Sequence, residues 1–259
     1  MAALEKGNAC ILKDGTFRYL LEAKNVDIDA ASARLGYRLR ERHVAFVLRA
    51  LSDKNGLEDT LAETVTQLCA QFKSKHPLAV RADFRTVWCW LPCPGNGPVR
   101  LPTPTATILA AQGRPASGLQ GFRQSHQEAL SAMRVAEMPD FQAPTTVHFD
   151  DVAVAALCSP DPDQCRNFIA AELGPLTKNQ PKLHSLRMTM QSFYANNCNL
   201  RAAAAELGIH HNTVRYRLEQ AEDLLGRSLS ERRFTTELAL HLLMTFGLGK
   251  GSFFAQAGA

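Results

Sequence analysis

Residues 199–226 read NLRAAAAELGIHHNTVRYRLEQAEDLLG, and one glycine in them limits what the chain can fold into. Ahead of it, Leu200, Ala203, Ala204 and Leu207 mark the apolar stripe of a short helix, whose alanines let a second helix approach closely. Gly208 supplies the turn, because only glycine reaches positive φ at no steric cost. Ile209 plugs the corner. Behind it, Val214, Leu218, Ala221 and Leu225 recur at spacings of 4, 3 and 4, the inward face of a second helix over 210–225.

At about 100° per residue, an inward Val214 and Leu218 turn Asn212, Tyr216 and Glu219 outward. Arg215 stands on one flank of that face, and Thr213 and Arg217 on the other. Basic, aromatic and hydrogen-bonding groups thus crowd the exposed N-terminal half of the second helix, the part that a helix-turn-helix lays in the major groove. Arginine reads guanine with two hydrogen bonds and asparagine reads adenine, whereas Thr213 and Arg217 sit where phosphates pass. The candidate DNA-binding residues are Arg201, His210, His211, Asn212, Thr213, Arg215, Tyr216 and Arg217. Simpler roles fit the same residues. Asn212 suits a helix N-cap, Arg215 with Glu219 an i,i+4 pair, and the two histidines a loop.

Upstream the periodicity changes. Residues 44–51, VAFVLRAL, read as a strand buried on both faces. Leu57, Leu61, Val65 and Leu68 mark an amphipathic helix. LAVRAD and RTVWCWLP pair as a hairpin, and TATILAAQ and TTVHFDD (145–151) are two further strands, with a long helix GLQGFRQSHQEALSAMRVAEM between them. The Pro- and Gly-rich segment 92–104 is loop. The order β-α-β-β-β-α-β suits an antiparallel sheet with helices packed on it. From 151 the pattern is helical. The expected organisation is a lead-in at 1–32, an α/β domain at 33–150, a helical connector at 151–178, an all-α domain at 179–246 and a mobile tail at 247–259.

Composition excludes classes more than it selects one. Of 259 residues, 46% are hydrophobic and 21% charged, ordinary for a globular protein. No apolar run reaches the roughly 18 residues of a membrane span, and the N-terminus lacks the pattern of a signal peptide. The expected location is the cytoplasm, away from membranes. A net charge of +4 permits a nucleic-acid partner without requiring one. Seven cysteines, an odd number without a CxxC pair, suggest neither a disulfide framework nor a zinc site, and no cofactor is expected. Cys89 reads as an inert thiol in an apolar strand and Cys93 as a thiol exposed on the loop. Trp88 and Trp90 share one strand face. Core packing accounts for them, and an exposed aromatic face for dimerisation or ligand binding is the alternative.

The phrase Asn212-Thr213-Val214-Arg215-Tyr216-Arg217-Leu218 resembles the C-terminal helix-turn-helix of the PucR/CdaR family of bacterial transcription regulators. SFYANNCNLRAAAAELGIH is similar to the helices before it, and TTELALHLLMTF to the last helix. Upstream, LGYRLRERHVAFVLR, the long helix and VHFDDVAVAALCSPDPDQCRNFIAAELGPL resemble the family's GGDEF-like middle domain, so the likeness spans about 33–246. It implies an α+β fold, a ferredoxin-like or GGDEF-like antiparallel sheet domain followed by an all-α helix-turn-helix domain. It also implies operator DNA as partner, a homodimer, a small-molecule effector and a cytoplasmic regulator. Two departures stand out. A longer segment usually follows the Trp-rich strand, where this chain has only loop 92–104. Residues 1–32 are too short for the usual N-terminal sensory domain, so the chain is a member without one or a piece of a longer protein. A catalytic GGDEF domain needs carboxylates at the end of its first strand and a Gly-Gly hairpin to hold metal ions. Here Arg49 and Ala50 stand at the strand end, RADFRTVWCW lacks the glycines, and Asp53 and Asp83 are isolated. No enzyme activity is expected. The competing reading is a nucleotide- or small-molecule-binding signalling domain joined to a helical protein-interaction module.

Overall fold

The computed structural model describes residues 11–12, 20–23, 25–51, 56–74, 77–93, 107–138 and 146–247. Loop 92–104 beyond Cys93, the tail beyond Gly247, Asp53 and most of the lead-in lie outside them. The described residues form two compact units that divide within one helix, between Ala156 and Leu157.

The first unit is built on a mixed sheet. Its strands are β1 (Ile11–Leu12), β2 (Arg42–Ala50), β3 (Leu78–Arg81), β4 (Thr86–Pro92), β5 (Ile108–Gln112), β6 (Ala116–Ser117) and β7 (Thr146–His148), in the order β1-β3-β4-β2-β5-β7, with β6 paired to β2. The inner run β3-β4-β2-β5 is antiparallel throughout. The edges β1 and β7 add in parallel. The central β2 is covered on both faces, as its unbroken apolar run requires: Val44 to Leu48 are all fully buried. On one face α2 (Leu57–Gln71) lays Leu61, Val65 and Leu68 against Val44, Phe46, Leu48 and Cys89. On the other, α1 (Ile28–Leu35) and α3 (Gly118–Ala136) cover Ala45, Val80 and Trp90. Leu20, inside the lead-in, is buried in this second layer.

The α3 layer is unusually close. Gly113 donates its N–H to the Ala45 carbonyl at 3.0 Å. The N–H of the same residue, Ala45, leaves the ladder and donates to Ser125 Oγ of α3 at 2.8 Å. A Cβ on Gly113 would lie 1.9 Å from the Ser125 carbonyl oxygen, so any larger residue there would force the backbone of α3 to shift. Trp90 is fully buried, stacks on Phe122 with ring centroids 4.6 Å apart, and donates Nε1–H to the Phe122 carbonyl at 3.1 Å. The two tryptophans thus serve core packing, with Trp88 half-buried. His126 lies against both, 4.5 Å from Trp88 and 4.8 Å from Trp90 by ring centroids. It is 1% exposed and neither ring nitrogen has a hydrogen-bond partner. Burial therefore pushes its pKa down from 6.5 to about 4.

Two expectations are corrected. Cys93 is not exposed on a loop but 5% accessible, because the ladder continues past Pro92: the Cys93 N–H donates to the Arg42 carbonyl at 2.8 Å. The strand TTVHFDD stops at His148, and Phe149 opens the helix α4 (Phe149–Cys158). Asp150 and Asp151 then occupy its first turn, where the helix dipole favours carboxylates.

The second unit is helical. α5 (Pro162–Leu173) opens behind an Asp161 cap, whose carboxylate accepts from the Gln164 N–H at 3.0 Å, and closes at Gly174 into a 3-10 turn, Gly174–Thr177. α6 (Pro181–Ala195), α7 (Leu200–Leu207) and α8 (His211–Leu225) pack on one another, and α9 (Arg233–Phe246) packs on α5 and α6. The fully buried Arg187 of α6 donates to the carbonyls of Leu176 at 2.7 Å and Lys178 at 3.1 Å. The segment ahead of 179 is thereby fastened into this unit.

Candidate nucleic-acid interface

α7, the turn at Gly208 and α8 form a helix-turn-helix. Asn199 caps α7, its Oδ1 accepting from the N–H groups of Arg201 at 3.0 Å and Ala202 at 3.2 Å. Gly208 adopts φ 63, ψ 31, and the Ile209 N–H returns to the Ala204 carbonyl at 3.1 Å. That left-handed residue ends α7 and sets the angle at which α8 departs. Val214, Leu218 and Ala221 are the buried residues of α8, and Leu225 is half-buried. Glu206 ties α7 to α6, accepting from Ser192 Oγ at 2.9 Å and from the Asn196 amide.

The residue that starts α8 is His210, not Asn212. His210 Nδ1 accepts from the Asn212 N–H at 3.3 Å, which leaves the Asn212 side chain exposed and unused as a cap. The imidazoles of His210 and His211 lie 4.2 Å apart. Partial desolvation, and after it the charges of His210, Arg201 and Arg215, hold the His211 pKa below its ordinary value. Those couplings put Arg201 of α7 and Arg215 of α8 in one positive field around the helix start.

Of the eight candidate residues, Arg201, His210, Asn212, Arg215 and Tyr216 are exposed. Tyr216 keeps 60% of its surface in solvent. His211 and Thr213 are half-buried. Arg217 is half-buried and its Nη1 lies 3.4 Å from Thr189 Oγ1 on α6, so it also joins the two helices. No ion pair joins Arg215 to Glu219 among the described residues. Arg215 therefore stands uncommitted on the outer face.

The end of β2 offers different chemistry. Arg49 donates to Thr86 Oγ1 at 3.1 Å, and the Arg85 guanidinium, from the turn between β3 and β4, donates twice to the Ala50 carbonyl at 3.2 and 3.0 Å. Cations thus occupy the place where a metal-dependent cyclase would need carboxylates.

Sequence reasoning missed the groups that hold the interface in place: Glu206, Thr189, and a buried set around Glu172 and Arg227. These partners lie 10 to 63 residues apart in the chain and leave no local pattern.

Comparison with known proteins matches residues 186–244 to the PucR C-terminal helix-turn-helix domain and residues 21–135 to a GGDEF-like domain. The purine catabolism regulatory protein of Bacillus subtilis is 35% identical over 82 residues, 32% of this chain and 15% of that protein. The proline-responsive transcriptional activator PutR of the same organism is 22% identical over 208 residues, 79% of this chain and 44% of its own length. The transcriptional activator PmfR of Paenarthrobacter nicotinovorans is 40% identical over 58 residues, 22% of this chain and 12% of that protein. The chain spans less than half the length of each of these relatives.

Proposed function

The chain belongs to the PucR family of transcription regulators, with a GGDEF-like domain ahead of a PucR-type helix-turn-helix, and we propose that it binds operator DNA through the N-terminal half of α8. The observation that carries this reading is the exposed face of Arg201, Asn212, Arg215 and Tyr216, none of which is consumed by packing. Arg215 and Asn212 read base edges; Arg201, His210, His211 and Thr213 face the backbone; Arg217 serves phosphate and helix packing together. The protein acts in the cytoplasm as a homodimer on a pseudo-palindrome whose half-sites lie about one helical turn apart. The GGDEF-like domain is a scaffold for dimerisation or for relaying a small-molecule signal, and does no chemistry of its own. Arg85 on the Ala50 carbonyl supports that part of the reading.

Binding to bulk duplex DNA tests it first. Affinity should fall steeply between about 50 and 200 mM salt, because each phosphate contact releases counterions. Binding that ignores salt contradicts the proposal and favours a helical protein-interaction module. Arg215→Ala should weaken specific DNA by about 1–3 kcal/mol and bulk DNA far less. Equal loss on both would mean that Arg215 reads no base.

A further inference from the structure

From the geometry we infer that Glu172, on α5 and outside the helix-turn-helix, is the positioning residue that fixes the far end of the recognition helix; its effect on DNA rests on the reading above. Glu172 is 7% exposed, and it is filled with donors from two other segments. Arg227 Nη2 donates to its Oε2 at 3.0 Å and to its backbone carbonyl at 3.1 Å. Thr235 Oγ1 donates to the same Oε2 at 3.0 Å, and Arg232 donates to Oε1. Arg227 Nη2 also reaches Thr236 Oγ1 at 2.9 Å.

The place of Arg227 gives this cluster its role. α8 ends at Gly226, in the left-handed region at φ 66, and Arg227 is the next residue. The recognition helix is thus fastened at its C-terminal end to α5 and to the start of α9 by one buried carboxylate. Three donors converge there, and Arg227 is only 16% exposed, so the pair is held in one geometry rather than sampled at a surface. The base-reading residues stand at the opposite end of α8. A helix of 15 residues is about 22 Å long, so a pivot of about 5° at one end moves the other by about 2 Å. Base readout needs side chains placed to within about 0.5 Å. Losing the anchor therefore degrades base reading while leaving the cationic surface that attracts phosphate intact. Glu172 lies on α5, so any displacement of that helix is passed to α8 through this carboxylate.

The test uses the full chain with Glu172→Gln, which keeps size and one acceptor but removes the charge. Thr235→Val is the milder companion if the first variant fails to fold. Amide hydrogen exchange comes first and needs no DNA. Protection at Leu218–Arg227 should fall at least about tenfold more than at Leu186–Tyr194 of α6. Capture of sheared genomic DNA of the source organism comes second. Enrichment of the wild-type fragments should drop about tenfold, with bulk-DNA affinity within about twofold and its salt slope unchanged. Thr235→Val should show the same pattern in weaker form. A uniform loss of protection across the unit, or equal loss on selected and bulk DNA, overturns the inference and leaves Glu172 as an ordinary contributor to stability. If the wild type selects no fragment, the function proposed above fails, and the exchange pattern alone decides on Glu172.

Discussion

Acid should destabilise the α/β unit through His126. This imidazole is 1% exposed, sits against Trp88 and Trp90, and has no hydrogen-bond partner on either nitrogen. In the unfolded chain it titrates near 6.5; in the fold burial lowers that to about 4. Because the folded value is the depressed one, the unfolded state takes up the proton first as pH falls. The neutral form's stability is complete above about pH 6.5 and is lost progressively down to about pH 4. At about 1.36 kcal/mol per pH unit, that separation is worth about 3 kcal/mol, a large share of a domain's usual 5–15 kcal/mol. His43 adds in the same direction. Burial is the main cause of its lowered value, and it is held neutral with Nδ1 facing the Tyr37 hydroxyl at 3.0 Å and Nε2 facing the Leu39 carbonyl at 3.1 Å.

Urea melts followed by tryptophan fluorescence are the assay, because the chain's two tryptophans both lie in this unit and both touch His126. The wild-type midpoint should fall steadily between pH 6.5 and 4.5 at constant m. His126→Met should flatten most of that dependence. At pH 8 it should cost little or even stabilise, since two unsatisfied nitrogens leave the core and a thioether packs well on aromatic rings. If His126→Met keeps the full wild-type acid slope, the buried imidazole is not its source and the reasoning fails.

Two further substitutions probe the packing that frames the site. Gly113→Ala should lower the melting midpoint of the α/β unit by the equivalent of about 1–3 kcal/mol, because its Cβ would meet the Ser125 carbonyl at 1.9 Å; an unchanged midpoint would mean that α3 gives way easily. Arg217→Ala should weaken selected and bulk DNA alike, and also cost the helical unit some stability through the lost approach to Thr189 Oγ1; loss of selected DNA alone would make Arg217 a base reader.

The helix-turn-helix was legible because its information is local. Gly208 between two apolar repeats sets the hinge, and Val214, Leu218 and Ala221 point inward by spacing alone. β2 was equally plain, since a run as apolar as Val44–Leu48 must be covered on both faces. What stayed hidden depends on distant partners. Nothing near Cys93 announces that Arg42, 51 residues away, continues the ladder and buries it. His210 as cap escaped because a histidine caps less often than the asparagine two residues on. Glu172 looks like any helical glutamate until the chain brings Arg227, Arg232 and Thr235 to it.

The central claim is that the exposed face of α8 reads DNA sequence. The most direct measurement is capture of fragmented genomic DNA from the source organism at moderate salt, with the wild-type chain and Arg215→Ala side by side. The account predicts that the wild type enriches a few fragments sharing a pseudo-palindrome and that Arg215→Ala loses that enrichment while still binding bulk DNA. Equal recovery of the same fragments by both proteins would contradict it.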